Sequence, residues 1–492
     1  MKSLAPGWWR SIVNVAFASC KCISPRKSAF GIGSLIEFFG VGYVCFVGVH
    51  VLVFVLPFSW IAHFQHWSMT YTLLFSILGL IPLAHIFEFV GEQIALYCGQ
   101  TLGDLIVITL SNSIEVVLAV MLLLNCELRL AQATIAGVVL LHLLLVPGCA
   151  FLTGGAKIWY QQLGEHSSQL NQSLLAAGFI FILIPTVFFS AIGSDPHLLD
   201  PHVNVTSSTT SEVVSEHARR GLVHAKRVWM TTDLTGADAV SDETRGVLLQ
   251  ISRGMAVIML IIYIASRVYL HNPPGDKETK RAVLAALSPT EREDVLDHSK
   301  PLVNPGVCIL FLVTTAMVMT LTIEWLVDSI PEYYQKGWIT EEWLGLILLP
   351  ITSFAADAML VTVYFIKTLL RRNPPVPEGI AHGRSIDLSV QFLLFWMPFI
   401  VIVAWILGKP FSLLFDIFEL ACIFGGCFLV NYITQDSKTN WAEGLVMILT
   451  YVMIESALVA WYYPSQRAHS EMMACTTSVL GAVMGEEADH GL

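Results

Sequence analysis

Two stretches of this chain repeat one another at an offset of 242 residues. Leu102-Gly103-Asp104-Leu105 aligns with Leu344-Gly345-Leu346-Ile347, and the same offset carries Ser111 onto Ser353 and Glu115 onto Asp357. Each stretch therefore sets one carboxylate twelve residues beyond a glycine, inside an apolar run. A carboxylate within a bilayer costs roughly a few kcal/mol or more to desolvate, so it normally faces a cavity or a partner and marks an ion or proton path. Around the first acid, Ser111, Asn112 and Glu115 fall at i, i+1 and i+4, on one helix face with Gly103 and Thr109 nearby. These side chains offer only oxygen ligands. Such a donor set suits a hard cation such as Ca2+ better than zinc or copper, with Na+ or K+ as alternatives.

The elements that position these residues are membrane helices. The 492 residues are 55% hydrophobic and 13% charged, with a mean hydropathy of +0.67, far too apolar for an ordinary soluble domain. The apolar residues come in runs long enough for a helix to cross about 30 Å of hydrocarbon. They predict eleven spans, near 41–62, 69–87, 104–124, 131–153, 173–193, 249–269, 304–328, 342–368, 390–408, 415–434 and 443–461. An outer-membrane barrel would instead alternate in polarity over segments of roughly ten residues. The fold class is all-α integral membrane: one N-terminal helix followed by two five-helix repeats, 69–269 and 304–461. Five spans separate the start of one repeat from the start of the other, and an odd number inverts the second half relative to the first.

Outside the spans lie an N-terminal arm (1–40), a long loop (194–248), a charged loop (270–303), a Pro-rich basic turn at Arg371-Arg372-Asn373-Pro374-Pro375-Val376-Pro377, and a C-terminal tail (464–492). The arm carries Lys2, Arg10, Lys21, Arg26 and Lys27 without an apolar core and cleavage site, so it reads as cytosolic rather than as a signal peptide. That orientation places loop 194–248, with the acceptor triplet Asn204-Val205-Thr206, on the lumenal side and loop 270–303 in the cytosol. The ten cysteines are scattered, which predicts neither a disulfide framework nor a metal cluster. No catalytic motif of a membrane enzyme is present, the expectation is not an enzyme, and a net charge of −11 argues against a nucleic-acid partner.

At the two acids the chain resembles the calcium/proton antiporters of the cation/calcium exchanger superfamily, in particular the fungal vacuolar type, over most of 69–463. Ser111-Asn112-Ser113-Ile114-Glu115 is similar to the family's first signature, Gly-Asn-Ala-Val-Glu, with Asn112 and Glu115 matching and Ser111 replacing glycine. Further matches are Ser252-Arg253-Gly254, Glu324-Trp325-Leu326-Val327-Asp328-Ser329-Ile330 and Asn440-Trp441-Ala442-Glu443-Gly444. The second signature departs: Gly-Asn-Ala-Ala-Glu-His is here Ser353-Phe354-Ala355-Ala356-Asp357-Ala358. In the fourth span Gly137 is kept, while Leu141-His142 stand in place of Ser-Asn; in the ninth, Ser389 and Gln391 match.

The resemblance implies Ca2+/H+ exchange across the vacuolar membrane by alternating access, with Ca2+ and H+ as transported ions and no cofactor. It implies a cation and proton site made by Glu115 and Asp357 with Asn112, Ser111, Ser353 and Gln391. His142 becomes a candidate for proton coupling, and Glu88 and Glu92 for a cytosolic entrance. The partners are inorganic cations, protons and the bilayer, and assembly into a homo-oligomer is left open. The alternatives are a monovalent cation/proton antiporter and a non-transporting or regulatory relative in which the altered second signature has ended exchange. Glu324, Asp328, Glu419, Glu443 and Glu455 read as helix pairing or solvated span ends and carry no assigned role. Phe354, the offset partner of Asn112, is expected to project into the same cavity in place of an amide ligand.

Overall fold

A computed structural model describes residues 54–98, 100–163, 165–194, 242–271, 304–335, 343–370, 384–460, 471–476 and 479. The arm 1–40, most of the first span, residues 195–241 with Asn204, the charged loop from 272 to 303, the Pro-rich turn and the end of the tail lie outside the described residues.

The described chain is helical, as expected. In order come α1 (Leu56–Phe64), α2 (Met69–Cys98), α3 (Gln100–Ser111), α4 (Ser113–Leu124), α5 (Leu128–Gly155), α6 (Glu165–Ser194), α7 (Asp242–His271) and α8 (Pro305–Gln335). Next are α9, a π turn Leu344–Leu348 continuing as Leu349–Leu370, and α10, Arg384–Gln391 continuing through a π turn Phe392–Trp396 into Met397–Ile406. Last are α11 (Ile417–Ile433) and α12 (Trp441–Ala460). Among the described residues six helices are long and apolar enough to span a bilayer, seven if the bent pair α3/α4 is one span. The described helices overlap spans two to eleven of the expected set, and the count of eleven is not established by length and hydropathy alone.

α3 and α4 together form the expected third span, bent by 48°. Thr109 donates to the Leu105 carbonyl (2.7 Å) and Ser111 to the Val107 carbonyl (3.0 Å), and hydroxyls bonded back onto the preceding turn bend helices. Asn112 then leaves the helical region at φ −90°, ψ 10°. At the offset partner of Asn112, Phe354, α9 runs on unbroken. The two repeats are thus unequal at the position where the signatures differ. They are alike one helix later: the fourth and ninth spans each contain a π turn, Leu141–Leu145 and Phe392–Trp396. Such turns recur at functional sites.

The core centres on α5, whose residues 128–144 are all buried. It meets the second repeat at close quarters. A Cβ on Gly345 would stand 2.8 Å from Ala133 Cβ and 3.2 Å from the Leu130 carbonyl, and one on Gly137 would run into the backbone of Leu346. Small residues let two helix backbones approach closely in a membrane, so Gly137 and Gly345 set the crossing of α5 with α9.

The two ends of the bundle are closed differently. At one end strand β1 (Gln161–Gln162) pairs antiparallel with β2 (Lys438–Thr439). At the other, Arg129 on α5 forms a buried ion pair with Glu419 on α11 (2.8 Å), which begins with a capping box from Asp416. Gln132 donates to the Leu414 carbonyl beside it. Glu419 is therefore a buried tie between repeats, the helix pairing rather than the solvated span end of the two readings its position allowed. Cys126, in the α4–α5 turn, is disulfide-bonded to Cys475 of the tail, which corrects the expectation of no disulfide. Residues of the tail are held there too, by Arg245 on the carbonyls of Ala474 (3.1 Å) and Thr476 (3.3 Å). By the predicted orientation this end is lumenal, the side on which a disulfide forms and persists.

Candidate functional site

The break between α3 and α4 organises the site. Asn112 is fully buried and Glu115, one turn into α4, is 4% exposed. The Asn112 amide nitrogen donates to the Ile108 carbonyl (3.3 Å) and to Gln391 Oε1 (2.9 Å), while Gln391 Nε2 donates to Thr109 Oγ1 (2.8 Å). This chain of bonds crosses from the first repeat to α10 in the second. Because it uses both donors of Asn112, the amide oxygen Oδ1 is left over. Among the described residues Asn112 Oδ1 has no hydrogen-bond partner, and neither does Glu115 Oε2. Buried polar atoms almost always find a partner, and those that do not point to an absent water or ion. Two orphaned oxygens at one helix break fit a hard cation, which takes carboxylate and amide oxygens as ligands.

The remaining predicted residues gather around this pair. The Ser353 side chain on α9 lies against the Glu115 carboxylate and donates its own hydroxyl to the Pro350 carbonyl (2.8 Å). Ser111 donates to Glu88 Oε1 (3.3 Å). Ala84, Glu88, Leu110, Ser111, Ser113, Ile114 and Ser353 line a small cavity of about 30 Å³. Glu88 thus stands at a mouth leading to the site, while Glu92, one turn further along α2, is exposed beyond it. Asp357 lies on α9 one turn past Ser353; its side chain is outside the described residues.

His142 sits in the π turn of α5, 5% exposed, with Nε2 3.8 Å from Glu115 Oε1 and Nδ1 unpartnered among the described residues. The backbone carbonyl of His142 accepts the Ser389 hydroxyl (2.5 Å), so α10 also fixes this turn. Phe354 is 7% exposed and belongs to the apolar core, and the described lining of the cavity does not include it. It was expected there, but its ring packs with neighbouring apolar side chains instead.

Thr109 is the site residue whose role the spacing understated. It shares the face of Asn112, and its hydroxyl anchors Gln391. No group of three or more His, Cys, Asp and Glu that could hold a metal ion occurs among the described residues.

Known proteins place this architecture. The vacuolar calcium ion transporter of Cryptococcus neoformans is 26% identical over 96% of this chain and 82% of its own length. That of Schizosaccharomyces pombe is 28% identical over 84% of each. Among solved structures, the selenium-substituted Ca2+/H+ antiporter protein YfkE superposes with a TM-score of 0.57 at 19% identity, covering 84% of this chain and 98% of that one, a likeness of fold. The family model for sodium/calcium exchanger proteins matches residues 68–271 and 307–459, and the chain belongs to that family.

Proposed function

We propose that this protein exchanges Ca2+ for H+ across the vacuolar membrane by alternating access, with Glu115 and Asp357 binding either the cation or protons. The pair of unpartnered buried oxygens, Glu115 Oε2 and Asn112 Oδ1, carries the reading. A cation entering past Glu88 and Ser111 meets a carboxylate, an amide oxygen and the hydroxyl of Ser353. Protons arriving from the opposite side neutralise the carboxylates, and filling by one expels the other. His142, within 4 Å of Glu115, would give up a proton when the cation arrives and take one up when the cation leaves. Its charge would repel the cation, so the two occupancies exclude each other.

For two protons crossing roughly 1.5 pH units, at about 1.36 kcal/mol per unit, about 4 kcal/mol is available. That sustains roughly a thousandfold Ca2+ gradient. The test is Ca2+ uptake into sealed, acidified proteoliposomes. Glu115→Gln and Asp357→Asn are each expected to abolish Ca2+-dependent proton release, and uptake surviving loss of both acids refutes the site.

A second reading is favoured by one observation. Phe354 and the unbroken α9 deprive the second repeat of the amide oxygen that Asn112 supplies in the first, and fewer oxygen ligands suit a monovalent ion. Proton release driven by Na+ or K+ but not by Ca2+ in the same vesicles decides for it.

A further inference from the structure

We propose that Glu455 on α12 is a second proton-carrying site, separate from Glu115. Glu455 is 7% exposed, and both carboxylate oxygens lack a hydrogen-bond partner among the described residues. One turn earlier on the same face, Tyr451 is 3% exposed and its hydroxyl is equally unpartnered. Three orphaned oxygens thus lie together in a helix of the bilayer. An ionised carboxylate there, with no cation beside it, would bear its full desolvation cost, whereas the protonated acid is neutral and can donate to a neighbouring oxygen.

α12 packs against α5 and α11. On α5 the titratable groups are Arg129, His142 in the π turn and Cys149; on α11 they are Glu419, Cys422, Cys427 and Tyr432. His142 is turned to Glu115 and Glu419 is held by Arg129. Cys422 lies within electrostatic range of both Glu455 and Glu419. No described cation faces Glu455. Because α12 runs from Trp441 at the β2 end, Glu455 lies towards the end that holds the disulfide, predicted to be lumenal. Its proton would therefore report lumenal acidity.

The experiment is an infrared pH titration of the purified full-length protein, wild type against Glu455→Gln and Glu455→Asp. The wild type is expected to show a protonated-carboxyl absorption at neutral pH that Glu455→Gln lacks and Glu455→Asp keeps at a shifted frequency. Identical spectra for wild type and Glu455→Gln overturn the proposal, since the acid is then ionised or cation-bound. Should Glu455→Gln not fold, an unshifted band in Glu455→Asp overturns it equally. A transport arm rests on the exchange reading: Ca2+ uptake at fixed outer pH should respond less steeply to lumenal pH in Glu455→Gln, and a response of wild-type steepness counts against the proposal. If the wild type carries no Ca2+ at all, the exchange reading fails while the spectra still decide the fate of Glu455.

Discussion

Gln391→Ala tests the site without touching a charged ligand. The substitution removes the acceptor of the Asn112 amide (2.9 Å) and the donor to Thr109 (2.8 Å), both in a buried setting. Asn112 keeps only its 3.3 Å bond to the Ile108 carbonyl. It is then free to turn, presenting NH2 where Oδ1 stood. Leaving a buried donor unsatisfied costs about 1–3 kcal/mol, and restoring the amide oxygen to the cation must overcome that cost. The expected loss is roughly 5- to 150-fold in Ca2+ affinity. Calorimetric Ca2+ binding to the purified protein, paired with the Ca2+ dependence of proton release from proteoliposomes, reads it directly. Half-saturating Ca2+ should rise while the maximal rate falls less, and thermal unfolding should be little changed. Affinity within about twofold of wild type in a stable Gln391→Ala protein would show that Asn112 Oδ1 is not a ligand held by this network.

Three further outcomes follow from the packing. Arg129→Met leaves Glu419 buried without its partner and should destabilise the protein by about 3–5 kcal/mol in thermal or denaturant unfolding, with Arg129→Met/Glu419→Leu recovering most of the loss. Cys126 and Cys475 should resist a thiol-alkylating reagent until the protein is reduced, whereas exposed Cys98 reacts at once. After reduction, only a reagent with access to the lumenal face should label Cys126 and Cys475. Phe354→Asn with Asp357→Glu, which restores the second signature, should raise Ca2+-dependent proton exchange; an unchanged rate in a well-folded double variant shows that the departure does not limit transport.

The site was legible where the chemistry is written in spacing. The offset between Gly103 and Gly345 picked out Glu115, and the face shared by Ser111, Asn112 and Glu115 survives in the structure as a break, an orphaned amide and a buried acid. Gln391 came from resemblance, and the structure bonds it to Asn112. What stayed hidden depends on tertiary neighbours. Arg129 and Glu419 stand at span ends, where solvation is the ordinary outcome, and only the apposition of α5 and α11 buries them together. Cys126 and Cys475 are 349 residues apart, and no spacing rule connects cysteines at that distance. Phe354 was read as a ligand position turned apolar, but the unbroken backbone of α9 and the surrounding core leave its ring outside the described cavity lining.

The inequality of the two repeats bears on how the protein can move. Alternating access requires the halves to part at one end of the bundle while staying joined at the other. The Gly137–Leu346 and Gly345–Ala133 contacts bring α5 and α9 backbone to backbone, and packed surfaces of this kind slide or pivot more readily than they separate. At the disulfide end the joins between repeats are the Arg129–Glu419 pair, the Gln132–Leu414 bond and the paired bonds of Thr186 with Phe415. At the other end β1 pairs with β2, Ser168 and Gln172 bond to Thr434, and Arg267 pairs with Asp387. Bonds between the repeats therefore close both ends of the bundle, and the predicted lumenal end holds the buried Arg129–Glu419 pair. Opening that lumenal end means breaking a buried ion pair, which is costly unless something nearby weakens it. Asp416, which caps α11 and already sets a second carboxylate beside Glu419, is the group that lowers that cost.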